Sequence, residues 1–313
     1  MTLGTQGAEV SYIDDASGVQ AMRYWLPPSD RLGEPRPLVV YCHQAGGNHQ
    51  INPTYWAYPL IHAAVQEGWI VAASNLHGDG WGNATQMSDI AALVAQISAI
   101  NPVSKVLLAG ASMGGLSCAN CHGRDVLAAG LIRGVYVIDA VLDLNWAYQQ
   151  TAYRASINTA YAVTASTLTG AVAVGATSLP TAGAFPVVGT QLQVGAGTAN
   201  VETVITTGAS NGTSVAVTAT TKTHASGDAV SDFPTKSAGF DPMQRPISDL
   251  TDVRWRFLAS TADTNVLKSA NTDPFAARIA AAPEEGVVTH NSSTHTQVSY
   301  PADFIAFAKR CGL

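Results

Sequence analysis

The sequence predicts an α/β protein with a doubly wound, mostly parallel sheet and a small all-β module inserted into it. Over most of the chain, short apolar runs alternate with segments of helical periodicity, which is typical of a parallel sheet covered by helices on both faces. That alternation stops at 163–232, where short β-like segments lie between Gly, Asn and Pro turns. We therefore expect one discontinuous domain, 1–162 with 233–313, and an inserted module, 163–232.

Each element is predicted from a local pattern. Two strands, GAEVSYI and VQAMRYWL, precede a Pro-bearing link, and continuous apolar runs then indicate buried parallel strands. The buried strands are expected at 37–42, 69–74, 105–109, 135–139, 254–259 and 286–289. Helices are expected from Asn52-Pro53 to Gly68, over about 85–100, directly after Ser112, over about 272–282 and over 301–310. Right-handed crossovers between parallel strands make this a doubly wound sheet.

The segment 163–231 differs from the rest in composition. Its only charged side chains are Glu202, Lys222 and Asp228, and Thr, Val, Ala and Gly fill the remainder. Short alternating segments of β-branched residues between turn residues are typical of a small all-β module. The module falls between the strands predicted at 135–139 and 254–259.

Composition and charge exclude some classes of function. The chain has 313 residues, of which 12% are charged, and a net charge of −6, which argues against a nucleic-acid-binding surface. No apolar run reaches the roughly 18 residues of a transmembrane helix. The first residues, MTLGTQGAEVSYIDD, lack the basic and apolar regions of a secretory signal peptide. We expect either a cytoplasmic protein or one that leaves the cell by assembly into a particle.

The stretch Gly110-Ala111-Ser112-Met113-Gly114-Gly115 contains a G-x-S-x-G pattern between a predicted strand and a predicted helix. This context is that of a nucleophile elbow, a tight turn that exposes a serine hydroxyl. Gly110 and Gly114 must lack side chains so that the strand and the helix can approach. The helix N-terminus favours negative charge beside the serine. Ser112 is therefore the candidate nucleophile.

A serine hydroxyl needs a base to take its proton, and that base needs a carboxylate to orient it. His295 is favoured as the base because it lies in a loop that can reach over the sheet edge; His290, at the end of the last strand, is the alternative. Asp263, just past the strand that ends at Ala259, is favoured as the acid. Asp139 and Asp143, after the preceding strand, are the alternatives.

An oxyanion hole needs two N–H donors aimed at the developing charge. Met113, directly after the nucleophile, can supply one. The loop after 37–42 can supply the other, through Gln44 or Ala45, and we expect His43 to brace that loop. Cys118 and Cys121 are expected to be small buried helix residues, with a local disulfide or a metal site as alternatives. No metal or organic cofactor is implied.

The residues resemble the α/β-hydrolase superfamily outside the insert. The loop HQAGG is similar to the H-G-x-G-G oxyanion loop of that superfamily, with Gln44 in place of the first glycine. The stretches LHGDGWGN, GASMGG and STADTNV are similar to a branch of actinobacterial and actinophage hydrolases, in which the catalytic His lies in an H-G-D-x-S stretch; His295-Thr296-Gln297-Val298-Ser299 matches its His and Ser. The insert resembles small β modules of phage tail proteins. In the superfamily the stretch between the two strands that flank the insert carries the cap over the active site, so the resemblance implies that the module lies in the cap region, near the mouth of the pocket.

The resemblance implies a serine esterase without a cofactor that is associated with a virion tail or is extracellular. The implied substrate is an ester, including acylated glycans or lipids of a host envelope, and the insert could bind other tail proteins. We expect Trp81 and Trp146 to line the acyl or sugar pocket, with plain core packing as the alternative. Two other functions use the same scaffold, namely a non-catalytic virion binding or structural protein and an acyltransferase.

Overall fold

A computed structural model describes the chain except residues 1, 6–10, 16–20, 28–33, 186, 284–285, 292–294 and 296–298. The chain forms two compact units, Met1–Leu144 with Asp241–Leu313, and Asn145–Phe240. We call them the first and the second unit. The second unit contains the segment in which the sequence predicts an inserted β module, and it also includes residues on both sides of that segment.

In chain order, the elements up to the second unit are β1 (Thr2–Thr5), β2 (Ser11–Asp15), β3 (Met22–Leu26), β4 (Arg36–Cys42), α1 (Tyr58–Gln66), β5 (Ile70–Ser74), α2 (Ala84–Ile100), β6 (Val103–Ala111), α3 (Met113–Gly123) and β7 (Ile132–Ile138). The following elements are α4 (Leu144–Gln149), α5 (Thr151–Ala160), β8 (Ala165–Thr167), β9 (Ser178–Pro180), β10 (Gln191–Val194), β11 (Glu202–Ile205), β12 (Ser214–Ala216), β13 (Ala229–Ser231) and α6 (Phe233–Lys236). The chain then returns to the first unit with β14 (Arg254–Ser260), α7 (Thr272–Arg278), β15 (Val287–His290) and α8 (Pro301–Arg310).

The first unit is built on one nine-stranded sheet of order β1-β2-β3-β5-β4-β6-β7-β14-β15. The six strands from β5 to β15 in this order pair in parallel, and β1 to β3 are added antiparallel at one edge. This confirms the predicted doubly wound, mostly parallel sheet. Because parallel strands run in one direction, their carboxyl ends lie on the same side of the sheet, which we call the sheet edge. The residues after β4, β6, β7, β14 and β15 gather there.

Burial explains why the central part of each parallel strand is apolar. Leu38, Val40, Ile70 and Leu108 are fully buried, as expected for strands covered on both faces. One core cluster packs side chains of α1 and α8 against β4, β5, β6 and β7. Trp25 of the antiparallel β3 belongs to the same cluster, so the antiparallel edge shares the core of the parallel strands.

The helix predicted from Asn52-Pro53 begins six residues later than Asn52, at Tyr58. The Asn52 side chain accepts a hydrogen bond from the Thr54 N–H at 3.1 Å, and the Tyr55 N–H bonds to the Asn52 carbonyl oxygen at 2.9 Å. Asn52 thus closes a turn of its own instead of capping the helix. The proline in the first turn of α1 is Pro59.

The second unit contains two antiparallel sheets. Four strands pair in the order β11-β10-β13-β8, and β12 pairs with β9. Their inward residues form a separate small core that includes Leu179, Leu192, Val215 and Val230. Outside the β segments, Tyr148 of α4 stacks on Phe233 of α6 with ring centroids 3.8 Å apart. The short β segments of the second unit thus share a small apolar core of their own.

A buried hydrogen-bonded pair of side chains, His224 and Glu202, supports the second unit. His224 Nε2 lies 2.7 Å from Glu202 Oε1, and both side chains are almost fully buried. The other carboxylate oxygen accepts from the Thr221 N–H at 2.8 Å, and the Lys222 N–H bonds to Oε1 at 3.2 Å. Burial alone would raise the pKa of Glu202, but the hydrogen bonds from His224, Thr221 and Lys222 outweigh it and lower that pKa.

Within the described residues, no helix combines the length and the apolar character that crossing a membrane requires.

The close approach at Gly114 gives a first prediction. A Cβ at this position would lie 2.2 Å from the Cys42 carbonyl oxygen. Gly114→Ala should therefore destabilise the protein by roughly 3 kcal/mol, the upper end of the cost of overpacking, although alanine is the better helix former. Urea unfolding measures the change. Gly170→Ala is the control, because its Cβ would meet only Pro180 Cγ at 3.7 Å; equal stability of both variants would contradict the packing argument.

The Glu202 carboxylate gives a prediction for pH dependence. Since its pKa is lowered in the folded state, its stabilising contribution is present above the ordinary pKa of about 4.3 and is lost as pH falls through the folded value. Glu202→Gln should cost about 2 kcal/mol at pH 7 and flatten the loss of stability below about pH 4. Hydrogen exchange of β10 and β11 at several pH values measures both effects.

Glu67→Gln is the matched control for Glu202→Gln. Glu67 pairs with Lys309 at 2.9 Å on the surface of the first unit, where an ion pair contributes little. The explanation fails if the two variants change the exchange of β10 and β11 equally.

Candidate active site

The corner between β6 and α3 holds Ser112 in a strained backbone conformation. Its φ is 50° and its ψ is −120°, a combination that costs a non-glycine residue roughly 1–3 kcal/mol. The Ser112 N–H donates to the Ile138 carbonyl oxygen at 3.0 Å, and the Ser112 carbonyl oxygen accepts from the Val141 N–H at 2.9 Å. Because the neighbouring strand β7 and the loop after it hold both backbone groups, the strained turn persists.

Two glycines make the corner possible. A Cβ on Gly110 would lie 2.5 Å from the Gly114 carbonyl oxygen and 2.7 Å from Cys118 Sγ, and a Cβ on Gly114 would meet the carbonyl oxygen of Cys42. Real Cβ atoms do not approach other atoms so closely, so side chains at these positions would force strand and helix apart. The sequence predicted that both positions must lack side chains, and the packing supplies the reason.

Asp263 and His295 lie together at the same sheet edge. His295 Nδ1 is 2.6 Å from Asp263 Oδ2, and Asp263 itself is 4% exposed. A ring Nδ1–H that donates to a carboxylate leaves Nε2 unprotonated and able to accept a proton. The pair thus has the orientation that a general base requires.

Backbone N–H groups of the loop after β14 hold the Asp263 carboxylate in place. Its Oδ1 accepts hydrogen bonds from the Asn265 N–H at 2.8 Å and the Val266 N–H at 3.2 Å. Burial alone would raise the pKa of Asp263, but the hydrogen bond and charge of His295 and the two backbone donors outweigh it, so that pKa is lowered. The carboxylate is ionised at neutral pH and can stabilise an imidazolium.

Three side chains hold the loop after β4, in which the sequence places an oxyanion donor. The ring nitrogens of His43 lie 2.8 Å from the Gln44 carbonyl oxygen and 3.1 Å from the Asn75 carbonyl oxygen. The Tyr55 hydroxyl donates to Gln44 Oε1. Asp79 Oδ1 accepts from the Gly46 N–H at 2.7 Å. These hydrogen bonds connect the loop to the segment before α1 and to the loop after β5.

The same loop lies against the start of α3. A Cβ on Gly114 would be 2.9 Å from the His43 carbonyl oxygen, which places this backbone beside the residue that follows Met113. Among the described residues, no protein acceptor bonds to the N–H groups of Gln44 or Ala45. Both residues are half-buried. Met113, which directly follows Ser112, opens α3, where the first N–H groups of a helix have no partner within it.

The alternative residues lie near the same edge. Asp139 is 3% exposed, follows β7, and accepts from the Ser260 N–H at 2.8 Å. His290, at the end of β15, has its Nε2 3.4 Å from Asp139 Oδ1. Asp143 is half-buried, and its N–H bonds to the Asn271 side chain at 3.2 Å. Asp263, not Asp139 or Asp143, is the acid that hydrogen-bonds His295.

Sequence reasoning missed the residues that support the loop after β5. Leu76, His77 and Trp81 in this loop all have positive φ values. Gln86, fully buried, accepts from the Gly82 N–H at 2.8 Å and donates to the Leu76 and Gly78 carbonyl oxygens. The buried Ser117 hydroxyl bonds to the same Gln86 oxygen at 2.7 Å, and Asn120 Nδ2 donates to the Gly82 carbonyl oxygen at 2.9 Å.

A signal for Gln86 exists in the sequence. Gln86 lies at helical spacing from Ile90, Leu93 and Ile97, so it occupies the apolar stripe of α2. A polar side chain in such a stripe is buried and must find hydrogen-bond partners. This observation could have identified the residue that holds the loop.

The predicted pocket residues lie in different units. Trp81 is 1% exposed in the first unit, and Trp146 is half-buried in α4 of the second unit. Their role as pocket walls stays a prediction. The four cysteines, including Cys118 and Cys121 in α3, are free and buried, which agrees with small core residues.

A cavity of about 370 Å³ lies at the opposite edge of the sheet. Ile132, which begins β7, and Arg254, which begins β14, line it. In parallel α/β sheets, ligands bind outside the carboxyl ends of the strands, and the chemistry-bearing residues described above lie there. This cavity is therefore not the candidate active site.

Comparison with known proteins identifies the architecture. No protein-family model and no curated protein matches the sequence. Among solved structures, the chain is similar to an S-formylglutathione hydrolase from Agrobacterium tumefaciens, with a TM-score of 0.60, 10% identity and coverage of 99% of this chain and 98% of the other. It is also similar to Est1E from Butyrivibrio proteoclasticus, with a TM-score of 0.51, 12% identity and coverage of 97% and 99%.

A third similar structure is the acylaminoacyl peptidase of Pyrococcus horikoshii, with a TM-score of 0.56 and 8% identity. There the match covers 96% of this chain but only 40% of the peptidase. At such identities the likeness establishes the architecture alone. Together with the strand order and the corner at Ser112, it shows that this chain has the α/β-hydrolase fold.

Proposed function

We propose that the protein is a serine hydrolase that cleaves carboxylic esters through an acyl-enzyme on Ser112. The observation that carries this proposal is the strained Ser112 corner at the sheet edge that also holds the hydrogen-bonded Asp263–His295 pair. A backbone strain of this kind persists only where the surrounding structure enforces it, and such strain clusters at functional sites. The solved structures of similar fold include enzymes named as a hydrolase and a peptidase.

In the first step, His295 Nε2 takes the Ser112 hydroxyl proton while Oγ forms a bond to the ester carbonyl carbon. The carbonyl electron pair moves to oxygen, and the backbone N–H groups of Met113 and of Gln44 or Ala45 stabilise that negative charge. Asp263 stabilises the imidazolium that forms. The intermediate collapses when the ester C–O bond breaks and the leaving alcohol takes the proton from His295.

In the second step, His295 takes a proton from water, whose oxygen attacks the acyl carbon. The bond from that carbon to Ser112 Oγ then breaks, and Ser112 regains its proton from His295. The protein's own contribution is preorganisation, since His43, Tyr55 and Asp79 hold the loop after β4, which we call the donor loop, before substrate binds.

We further propose that the natural substrate is an acyl ester of a host-envelope glycan or lipid and that the protein is associated with a phage tail. The support is the likeness of the insert 163–232 to small tail β modules and its charge-poor, hydroxyl-rich sequence. Trp81 and Trp146 are proposed to line the acyl or sugar pocket, because aromatic side chains offer large contact surfaces. Hydrolysis and acyl transfer use the same acyl-enzyme, and product analysis with and without a sugar acceptor distinguishes them.

The nucleophile can be tested directly. Ser112→Ala should lower kcat/KM for p-nitrophenyl esters by about 10⁴-fold or more, because the group that forms the acyl-enzyme is lost. Ser88→Ala is the control: this serine on α2 is exposed, and its hydroxyl donates to the Ala84 carbonyl oxygen. Equal rates for wild type and Ser112→Ala would refute the proposal. Release of fatty or short-chain acids from actinobacterial envelope extracts by wild type alone would support the substrate class.

The donor loop gives a second functional prediction. Asp79→Ala removes the acceptor that holds the Gly46 N–H, so the loop should lose its preorganised geometry. We expect kcat for a p-nitrophenyl ester to fall by about 10- to 100-fold with little change in KM. Asp79→Asn retains an acceptor oxygen and should stay within a few-fold of wild type. If the asparagine variant loses as much activity as the alanine variant, the hydrogen bond is not the cause.

A further inference from the structure

Three arginines line the cavity at the amino-terminal ends of β7 and β14. Arg133 comes from β7, Arg254 from β14 and Arg310 from the end of α8. These are three of the eleven arginines in a chain whose net charge is −6. A cleft that gathers charges of one sign attracts the opposite charge, because the protein walls focus the electric field. The cavity is therefore a candidate site for an anion.

A β-bulge presents Arg133 at this cavity. Val106 of β6 pairs with Ile132, and the next residue, Leu107, pairs with Gly134, so Arg133 is an extra residue in β7. Bulges are rare between parallel strands, and they change the direction of a side chain locally. Within the part of the chain that the structure describes, the exposed Arg133 side chain has no hydrogen-bond or ion-pair partner. The backbone thus places a guanidinium at the cavity that no carboxylate of the described fold neutralises.

The other charged residues of the lining have partners. Asp252, the one acidic residue among the described residues that line the cavity, has its Oδ1 2.9 Å from His122 Nε2. Arg254 and Arg310 each have an interaction with another group. A direct contact with an anion therefore falls to Arg133, and the neighbouring guanidinium groups add attraction at longer range.

The rest of the lining is largely apolar. Ile132, Val253 and Cys311 line the cavity and are each less than 10% exposed; we call these three side chains the apolar wall. The volume of about 370 Å³ lies within the range of small-molecule sites, and a bare phosphate ion would fill only part of it. The space therefore suits an anionic group that carries an apolar body.

We propose that this cavity binds a small phosphate monoester, with Arg133 on the phosphate group and the organic part against the apolar wall. A guanidinium presents parallel N–H donors that match two oxygens of a phosphate. The phosphate group carries close to two negative charges at neutral pH, which suits a lining with three guanidinium groups and one carboxylate. Because the cavity lies at the opposite edge of the sheet from Ser112, it is an accessory site that takes no part in the proposed hydrolysis.

Calorimetric titration of the full chain at constant ionic strength tests the proposal, with phenyl phosphate, inorganic phosphate and benzoate as probes. Phenyl phosphate should bind with a Kd below about 1 mM and about 10-fold more tightly than either other probe. Only this probe combines a doubly charged head with an apolar body. Equal affinity for inorganic phosphate would assign the cavity to the free ion, and equal affinity for benzoate would assign it to organic anions in general. Either result would overturn the proposal, as would the absence of phenyl phosphate binding at about 10 mM.

A charge-matched pair of variants locates the bound anion. Arg133→Gln should weaken the binding of phenyl phosphate by about 10-fold or more, because a charge-assisted bidentate contact is lost. Lys236→Gln is the control, since it removes one exposed positive charge in the second unit. Equal weakening in both variants would show that the overall charge, not the cavity, attracts the anion, and would overturn the proposal. Melting temperatures show that each variant is folded.

Ester hydrolysis separates this inference from the proposed function. Arg133→Gln should keep kcat/KM for p-nitrophenyl acetate within about 2-fold of wild type, and Ser112→Ala should bind phenyl phosphate as wild type does. If wild type binds phenyl phosphate through Arg133 but hydrolyses no ester, the proposed function fails and this inference stands. If Ser112→Ala loses phenyl phosphate binding, the anion occupies the candidate active site and this inference fails.

Discussion

The backbone of one residue constrains the rest of the site. Ser112 adopts a strained conformation that two backbone hydrogen bonds and two glycine contacts maintain. Because the serine cannot move without breaking the junction of β6 and α3, every other group must be brought to it. The parallel sheet does this, since its strands deliver their following loops to a single edge. The strain is thus a local cost that the whole sheet offsets.

Polar side chains near that edge, among them the fully buried Gln86, keep the loops in place. Gln86 uses its amide oxygen and nitrogen to hold the loop after β5, and Asp79 of that loop in turn holds Gly46. His43 bridges the same two loops through backbone oxygens. A buried polar network of this kind is stabilising only when its members are satisfied. A substitution within it therefore changes loop position as well as free energy of unfolding.

The sequence was informative where a local pattern alone determines the structure. The mostly parallel sheet follows from apolar runs alternating with helices, and α8 occupies the predicted range 301–310. The chain order of Ser112, Asp263 and His295 is the one expected for the fold. It was less informative where a side chain has two local uses: Asn52 closes a turn instead of starting α1. β1 was not predicted either, because a four-residue strand at a sheet edge carries little pattern.

Contacts between residues distant in the chain could not be read from the sequence. That Tyr55 bonds to Gln44, and that Asp139 approaches Asp263, depends on how loops meet at the sheet edge. The replacement of a glycine by Gln44 in the donor loop looked like a departure from the superfamily pattern. In the structure the Gln44 side chain accepts a hydrogen bond from the Tyr55 hydroxyl, a contact that neither periodicity nor spacing predicts.

The way in which the chain leaves and re-enters the first unit has a further consequence. Leu144 is the last residue before the second unit, and Asp241 is the first residue after it. The Leu144 N–H donates to the Asp241 carboxylate at 3.2 Å. Departure and return thus occur at neighbouring points of one scaffold, so a short linker could span them. An inserted segment whose two ends join the host domain at adjacent points can be replaced by another segment without changing the host fold. Evolution, or an engineer, could therefore replace the second unit with another segment while leaving the sheet of the first unit continuous.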